Sequence, residues 1–482
     1  MSIQTAIDAL AAKFGEYVTT AQAIRDQHGQ NEAYFPVTPP DAVVFPGSTA
    51  DVSAIARLCT EHGCPIVAYG AGTSLEGAQL AFQGGIALDM SRMTDVLAVN
   101  QEDMDAVVQP GITREALNTE LRATGLMFPV DPGANATIGG MASTRASGTT
   151  AVRYGTMREN ILALEAVMAD GTIVRTGTQA RKSSTGYDLT HLLVGSEGTL
   201  GIITELTVKL QGIPEAISAA TCRFPTIEDA VNCVILTIQT GIPMARIELV
   251  DEMMVRGFNN YADAGLPEVP HLFLEFHGSE TGVAEQAEMF GAIAEDFGVE
   301  AYQTATKTED RNALWAMRHK SHYASASLGK TGHLMPTDVC VPISQLPACV
   351  SAIQEVIATT SIQAPLVGHV GDGNFHLVLL YDPESETEVR EARHINSSLV
   401  EMAIEMGGTC TGEHGVGVEK RDLMPEMFTE EDLNQQMRVK CAFDPDHLLN
   451  PGKMFPQLHR CAELGRMHVH KGQTAFPDLP RF

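Results

Sequence analysis

The sequence is poor in basic residues, in tryptophan and in long hydrophobic runs. Only 32 lysine and arginine residues stand against 60 aspartate and glutamate residues, which gives a formal net charge of −28 over 482 residues. Such a surface repels phosphate backbones, so nucleic acid is not an expected partner. It also disfavours docking on an anionic membrane through a basic patch. A small anionic substrate would need a local cluster of positive charge to receive it.

Patterns for membrane insertion, export and disulfide bonding are also missing. No apolar run approaches the roughly 20 residues that span a bilayer. The first residues carry neither the positive flank nor the apolar segment of a secretory signal. The nine cysteines are scattered without a C-x-x-C pair, which is typical of reduced thiols rather than of a disulfide framework or an iron–sulfur site. We therefore expect a cytoplasmic protein without a transmembrane segment, peripheral to a membrane only through a partner.

The length and the order of the patterns predict more than one domain. A chain of 482 residues is too long for one ordinary core. Residues 42–111 alternate strand-like and helix-like segments, with Ser48 as a predicted helix cap, and Asp170-Gly171 between apolar runs predicts a hairpin. Later segments predict helices over 227–239 and 282–296 and strands over 272–277 and 338–341. Residues 212–214 are the predicted domain boundary, and 458–482 form a tail of unknown role.

Two glycine-rich segments favour a large diphosphate cofactor. The loop from Gly70 to Gly77 follows an apolar strand, and glycines let backbone N–H groups approach a phosphate closely. Its spacing matches neither the dinucleotide fingerprint nor a Walker loop, so alone it is equally consistent with a tight structural turn. Residues 131–155 are rich in Gly, Ala, Ser and Thr and nearly lack core residues, which indicates a segment that is disordered or wrapped around a ligand.

Two short histidine motifs predict a metal site. His369 and His376 flank a Gly-Asp-Gly turn, and Glu413-His414 lies in a second glycine-flanked cluster. His369, His376 and Glu413 would supply a divalent ion, zinc or manganese, with three ligands and leave positions open for substrate. The alternative is a pair of hydrogen-bonded loop histidines. His414, with its pKa lowered by the metal, could then remove the hydroxyl proton of a 2-hydroxy acid.

A residue that could bind a substrate carboxylate is harder to identify, because the chain has so few basic residues. Arg318, on a predicted helix beside the single tryptophan, is the candidate, although a solvated helix face is the alternative interpretation. Cys410, beside the second cluster, is interpreted as a bystander.

These motifs together resemble the FAD-linked oxidases of the vanillyl-alcohol-oxidase or p-cresol-methylhydroxylase (PCMH) type, within the branch of D-lactate dehydrogenases (cytochrome) and glycolate oxidase FAD subunits. The resemblance spans residues 35–457 and rests on PIVAYGAGTSLEG, DPGANATIGGMASTRASGTTAVRYG, VGSEGTLGIIT and LLNPGKMF. It implies an α+β fold with an FAD domain of two α/β subdomains at 1–213. A substrate and metal domain at 214–457, with an antiparallel sheet flanked by helices, would follow, and residues 413–455 would return to the flavin.

The resemblance also implies roles for particular residues. His414 would be the catalytic base, Arg318 the substrate-carboxylate arginine, and His369, His376 and Glu413 the metal ligands. FAD would be non-covalent, because Thr73 stands where covalently flavinylated relatives have histidine. The implied FAD contacts are Gly70, Ala71, Gly72, Thr73, Ser74, Gly77, Pro132, Gly133, Thr137, Gly139, Gly140, Ser143, Gly148, Tyr154, Gly155, Glu197, Gly198, Ile202, Ile203 and Asn450.

The implied activity is oxidation of a small D-2-hydroxy acid, with D-lactate the best candidate. Residues 337–342 lack the lysine of the D-2-hydroxyglutarate branch, which favours a monocarboxylate. Electrons would pass to a cytochrome, a quinone or another protein, and a homodimer is one assembly left open. The alternatives are a glycolate oxidase FAD subunit, a D-2-hydroxyglutarate dehydrogenase, a metallohydrolase, a non-catalytic electron-transfer flavoprotein and an ether-lipid synthase.

Overall fold

The computed structural model describes residues 2–456, so the predicted tail at 458–482 lies outside the described residues. Strands over the described residues are β1 (Val18–Thr19), β2 (Ala42–Val44), β3 (Ile66–Tyr69), β4 (Ile86–Asp89), β5 (Val96–Asn100), β6 (Asp105–Val108), β7 (Leu126–Met127), β8 (Ile161–Val167), β9 (Ile173–Gly177), β10 (Ile202–Lys209), β11 (Gln211–Gly212), β12 (Ala216–Arg223), β13 (Met244–Val250), β14 (His271–Gly278), β15 (Ala301–Ala305), β16 (Leu334–Pro336), β17 (Val339–Cys340), β18 (Leu366–His369) and β19 (Asn374–Leu380).

The α-helices over the same residues are α1 (Ile3–Phe14), α2 (Gln22–Gly29), α3 (Thr49–His62), α4 (Arg114–Leu121), α5 (Ile138–Thr144), α6 (Ala151–Tyr154), α7 (Met157–Asn160), α8 (Leu189–Leu193), α9 (Ile227–Gln239), α10 (Glu252–Ala262), α11 (Glu280–Asp296), α12 (Thr308–His319), α13 (Ser321–Ala326), α14 (Leu346–Ile357), α15 (Glu386–Glu405), α16 (Met424–Met427) and α17 (Glu430–Phe443). Among these helices, none combines the length and the apolar character needed to cross a bilayer. The predicted α+β class is confirmed.

The first half of the chain contains two sheets with separate cores. A four-stranded sheet in the order β1-β2-β4-β3 has β2 and β3 parallel to β4, and α3 packs on it. Ser48 caps α3 by accepting the backbone N–H of Asp51, as predicted. A five-stranded antiparallel sheet follows in the order β5-β6-β10-β8-β9. Its β8–β9 hairpin turns at Asp170-Gly171, where Gly171 has φ of +80°, which confirms the predicted hairpin.

The second half is built on one eight-stranded antiparallel sheet with helices on both faces. Strand order is β15-β12-β14-β13-β18-β19-β16, and β17 also pairs with β19. Helices α9, α11, α14 and α15 bury one face, and α10, α12 and α13 bury part of the other. Because side chains alternate along a strand, every second residue of β13, β18 and β19 points towards the layer of α10, α12 and α13. That face carries the histidines of the first predicted metal motif.

The last described segment crosses back to the first half. Backbone hydrogen bonds join Ile66 of β3 to Leu448 and Asn450, each at 2.8 Å. The buried ammonium of Lys440 donates to the carbonyl oxygen of Thr199 at 2.6 Å. The loop that carries Glu413 and His414 also contacts the first half, because the backbone N–H groups of Val416 and Gly417 donate to Glu197.

Candidate active site

A cavity of about 660 Å³ lies between the two halves and is large enough for a cofactor. Both glycine-rich segments contribute to its wall, and so do the predicted metal ligands and Arg318. The predicted FAD contacts that line it are Gly70, Ala71, Gly72, Thr73, Ser74, Pro132, Gly133, Thr137, Gly139, Gly140, Ser143, Glu197, Gly198, Ile202 and Ile203. Three sequence segments that lie far apart in the chain therefore meet at one cavity.

The remaining five predicted contacts, Gly77, Gly148, Tyr154, Gly155 and Asn450, are not among the lining residues. The Tyr154 hydroxyl pairs with His277 Nδ1 at 2.6 Å, and the Asn450 amide donates to the carbonyls of Ala78 and Glu197. A Cβ added to Gly77 would stand 3.1 Å from the ring of Phe35. The other two are Gly148, where a Cβ would collide with Asp131, and Gly155, the C-cap of α6.

The cavity wall fits a cofactor rich in polar groups. Ser74, Gln79 and Thr149 line the cavity, and each has a buried side-chain oxygen without a hydrogen-bond partner among residues 2–456. Buried oxygens of this kind are costly unless a ligand or water satisfies them. At Gly70, a Cβ would lie 2.3 Å from Thr137 Oγ1, so the two glycine-rich segments touch only because this residue has no side chain. These features suit the diphosphate and ring atoms of FAD.

The predicted metal ligands converge on one point. His369 ends β18 and His376 lies on β19, and both Nε2 atoms face the same oxygen of Glu413, at 2.9 and 3.4 Å. The three ligand atoms lie within 4.8 Å of one another. Two imidazole nitrogens and one carboxylate oxygen form a donor set that suits zinc or manganese, with coordination positions left open towards the cavity.

The remaining nitrogen of each ligand histidine is fixed by a hydrogen bond. His369 Nδ1 lies 2.7 Å from Glu248, and His376 Nδ1 lies 2.9 Å from the carbonyl oxygen of Thr337. Such partners orient the rings and set the tautomer of metal-binding histidines. Although burial works against it, the pKa of Glu413 is held well below its usual value by His369 and His376, so this carboxylate is ionised. The pKa of His376 is lowered, chiefly by burial.

Arg318 is buried beside the metal cluster and lines the cavity. One of its terminal nitrogens contacts Glu248 Oε2 at 2.5 Å, while Glu248 Oε1 holds His369. The Nε atom of Arg318 is buried without a partner among the described residues. The interpretation of Arg318 as part of a solvated helix face is therefore wrong. A guanidinium in this position can offer a remaining donor to an anionic ligand.

His414 lies in the cavity wall with its ring against the metal cluster. Its imidazole stacks on that of His376 with centroids 4.9 Å apart, and its Nδ1 lies 3.2 Å from Glu76 Oε1. Burial lowers the pKa of His414, but Asp338 and Glu76 outweigh burial and raise it above the ordinary value. The sequence predicted a lowered pKa on the assumption that a metal ion is bound. The protein's own charged groups raise this pKa instead.

Asp338 and Lys420 are buried beneath the turn that contains Glu413 and His414 and stabilise it. One oxygen of Asp338 accepts hydrogen bonds from the backbone N–H groups of residues 412–414, at 2.8 to 3.0 Å. Lys420 Nζ lies 3.4 Å from the same oxygen and 3.1 Å from Glu76. Burial would raise the pKa of Asp338, but Lys420, His414 and the other donors lower it well below its usual value. This carboxylate therefore fixes the turn that presents Glu413 and His414.

Sequence reasoning missed four of these supporting residues, namely Glu76, Glu248, Asp338 and Lys420. Glu76 and Asp338 lie within segments that the motifs already include. Glu248 leaves a recognisable signal, because it is a lone carboxylate inside the apolar strand β13. Lys420 leaves none, because its partners come from distant parts of the chain.

Comparison with known proteins places this fold and site in a family. A model described as "FAD linked oxidases, C-terminal domain" matches residues 213–454, and one described as "FAD binding domain" matches residues 40–177. The chain is 45% identical to the probable mitochondrial D-lactate dehydrogenase of Danio rerio, over 91% of this chain and 89% of that one. It is 44% identical to the mitochondrial D-lactate dehydrogenase [cytochrome] of Arabidopsis thaliana, over 92% of this chain and 78% of that one.

Two further similarities complete the comparison. The chain is 34% identical to the glycolate oxidase subunit GlcD of Escherichia coli K12, over 92% of this chain and 89% of that one. The solved structure of p-cresol methylhydroxylase with substrate bound has a TM-score of 0.78 at 17% identity, covering 94% of this chain and 96% of that one, which shows the fold. The chain therefore belongs to the FAD-linked oxidases and is an FAD-dependent oxidoreductase.

Proposed function

We propose that the protein oxidises a small D-2-hydroxy acid, with D-lactate as its substrate and pyruvate as the product. The observation that carries this proposal is the convergence of a cofactor wall, a two-histidine-one-carboxylate cluster, a histidine base and a buried arginine in one cavity. Relatives at 45% and 44% identity are named D-lactate dehydrogenases, which favours D-lactate within this substrate class.

The cavity residues have separate tasks in this mechanism. His369, His376 and Glu413 would hold a divalent ion, whose positive charge would acidify the substrate hydroxyl, and FAD on the cavity wall would be the hydride acceptor. His414 accepts the hydroxyl proton. Arg318 holds the substrate carboxylate, and Glu248 positions Arg318 and His369 with one oxygen each.

A monocarboxylate fits residues 337–342 better than a dicarboxylate does. This segment contains no lysine or arginine. Thr337 Oγ1 already accepts the backbone N–H of Leu377, and Asp338 is occupied by residues 412–414. The segment therefore offers no free cation for a second carboxylate, which argues against D-2-hydroxyglutarate. Glycolate remains the second candidate, supported by the relatives named glycolate oxidase subunits.

The electron acceptor belongs to the proposal as well. Relatives from Arabidopsis thaliana and Kluyveromyces lactis are named D-lactate dehydrogenase [cytochrome], which favours a cytochrome over a quinone or another protein. We place this reaction in the cytoplasm or at a membrane surface reached through that partner.

Metal removal tests the metal-assisted part of the mechanism. Dye-coupled turnover of D-lactate should be lost when a chelator removes the ion, and zinc or manganese should restore it. His376→Ala should lower turnover by at least about 100-fold while FAD stays bound, because one metal ligand is lost. His394→Ala, which changes an exposed histidine on α15, is the matched control. Full turnover by protein shown to be metal-free by elemental analysis would refute metal assistance.

A further inference from the structure

Glu76 lies at the meeting point of the cofactor loop and the base. It belongs to the glycine-rich loop of the first half, whose residues 70–75 line the cavity. Its side chain is 2% exposed and reaches the Nδ1 atom of His414 at 3.2 Å. We propose that Glu76 is the positioning residue of His414, fixing the proton on Nδ1 so that the lone pair of Nε2 is free to accept the substrate proton. The proposal rests on the proposed function only for the role of His414 as base.

The tautomer argument follows from the two ring nitrogens. In a neutral imidazole one nitrogen carries the proton and the other accepts, and a carboxylate at Nδ1 requires the proton there. Stacking of the ring on His376 at an interplanar angle of 6° limits its rotation.

A buried ammonium keeps Glu76 in place. Lys420 is 1% exposed and lies 3.1 Å from the oxygen of Glu76 that also faces His414. The same ammonium lies 3.4 Å from Asp338, whose other contacts fix the backbone N–H of His414. A buried carboxylate without such a partner would be costly. Glu76 therefore holds the imidazole ring of His414, and Asp338 holds its backbone N–H. Both carboxylates contact the ammonium of Lys420.

A backbone contact ties this arrangement to the cofactor wall. The carbonyl oxygen of Glu76 accepts the backbone N–H of Val418 at 2.8 Å. A Cβ at Gly417 would stand 2.0 Å from that oxygen, so the close approach requires glycine, which here has φ of +52°. The loop that lines the cofactor cavity and the loop that carries the base are thus in direct backbone contact.

Histidine ¹⁵N spectra of the zinc-loaded protein test the tautomer without any substrate. The His414 signals are those missing from a His414→Gln sample. We expect a protonated Nδ1 and an unprotonated Nε2 in the wild type, and a mixture of tautomers or loss of this pattern in Glu76→Gln. An Nε2-protonated His414 in the wild type would overturn the proposal, whatever the enzyme's substrate is.

The second measurement is the rate of flavin reduction by D-lactate under anaerobic conditions. Glu76→Gln should lower the limiting rate by about 10- to 100-fold, as loss of a charged partner of a histidine does, with KM changed less than 3-fold and FAD content unchanged. Glu76→Asp keeps the charge and should fall between the wild type and Glu76→Gln. Glu165→Gln, which removes a buried carboxylate on β8 that pairs with Arg175 of β9 and does not line the cavity, should keep the wild-type rate.

The outcomes separate the two claims. A wild-type rate in Glu76→Gln would overturn the positioning role and leave the proposed function intact. A wild type whose flavin D-lactate does not reduce would refute the proposed function, and the tautomer spectra would then decide the role of Glu76 alone. If Glu76→Gln does not fold with FAD, Glu76→Asp and the wild-type spectra decide it.

Discussion

At the scale of single residues, the site depends on buried carboxylates that each contact two basic side chains. Glu248 joins Arg318 to His369, and Glu76 joins His414 to Lys420. In a buried region each of these ions is costly unless its partner is present. The residues predicted from motifs therefore work only within a network that the motifs do not reveal.

Arg318 offers a direct test of that network. Arg318→Lys keeps a positive charge near Glu248. It loses the planar guanidinium, whose separate N–H groups can bind Glu248 and a substrate carboxylate at the same time. We expect the KM for D-lactate to rise by about 10-fold or more, corresponding to roughly 1.5–3 kcal/mol, with FAD still bound. Steady-state kinetics measure this, with Arg256→Lys, in an exposed pair with Glu268, as control. An unchanged KM and kcat would remove Arg318 from substrate binding.

At the scale of elements, helix caps and strand alternation were predictable. Alternation along β13, β18 and β19 explains why Glu248, His369 and His376 share the face that α10, α12 and α13 cover. The predicted helix over 227–239 is confirmed as Ile227–Gln239, and that over 282–296 begins two residues earlier, at Glu280. The Ser279 cap sets that start.

Two segments differ from the prediction because tertiary contacts decide them. The strand predicted over 338–341 is only Val339–Cys340, since the side chain of Asp338 turns to the N–H groups of residues 412–414. Residues 131–155 contain α5 and α6, although they nearly lack large apolar residues. Small residues of this segment line the cavity, and no amphipathic period marks the helices.

A helix cap supplies a prediction on pH and stability. Asp251 caps α10 by accepting the backbone N–H of Met254 at 2.7 Å, and burial raises its pKa from 3.8 to about 7. The folded state therefore holds a proton that the unfolded state loses above about pH 4, so this group lowers stability as pH rises from 4 to 7. Asp251→Asn keeps the cap without the charge and should be more stable at pH 8 by about 1–4 kcal/mol.

Thermal unfolding of both proteins between pH 4 and pH 8 measures this effect. The difference in Tm between Asp251→Asn and the wild type should grow as pH rises through this window. Asp188→Asn, at the exposed cap of α8, is the control and should give no such gain. A difference in Tm that is independent of pH would show that Asp251 is ionised in the folded protein.

At the scale of the whole molecule, the site is complete only where both halves meet. The carboxylate of Glu197, from the first half, accepts the backbone N–H groups of Val416 and Gly417 at 2.6 and 2.8 Å. Burial raises the pKa of Glu197 to about 7. Together with the backbone bond from Val418 to Glu76, these two bonds hold the base-carrying loop against the cofactor wall. Motifs predicted the parts of this arrangement, but pairings across hundreds of residues could not be predicted from local patterns.

The measurement that tests the central claim most directly is an anaerobic titration of the FAD-loaded protein, followed by its visible spectrum. Addition of D-lactate should bleach the oxidised flavin band with about one equivalent per flavin, because hydride transfer is a two-electron step. L-Lactate should leave the band unchanged, because with its carboxylate at Arg318 and its hydroxyl at the metal cluster the methyl group, and not the Cα hydrogen, would face the flavin. Persistence of the oxidised band with D-lactate, in protein that holds both FAD and metal, would contradict the account.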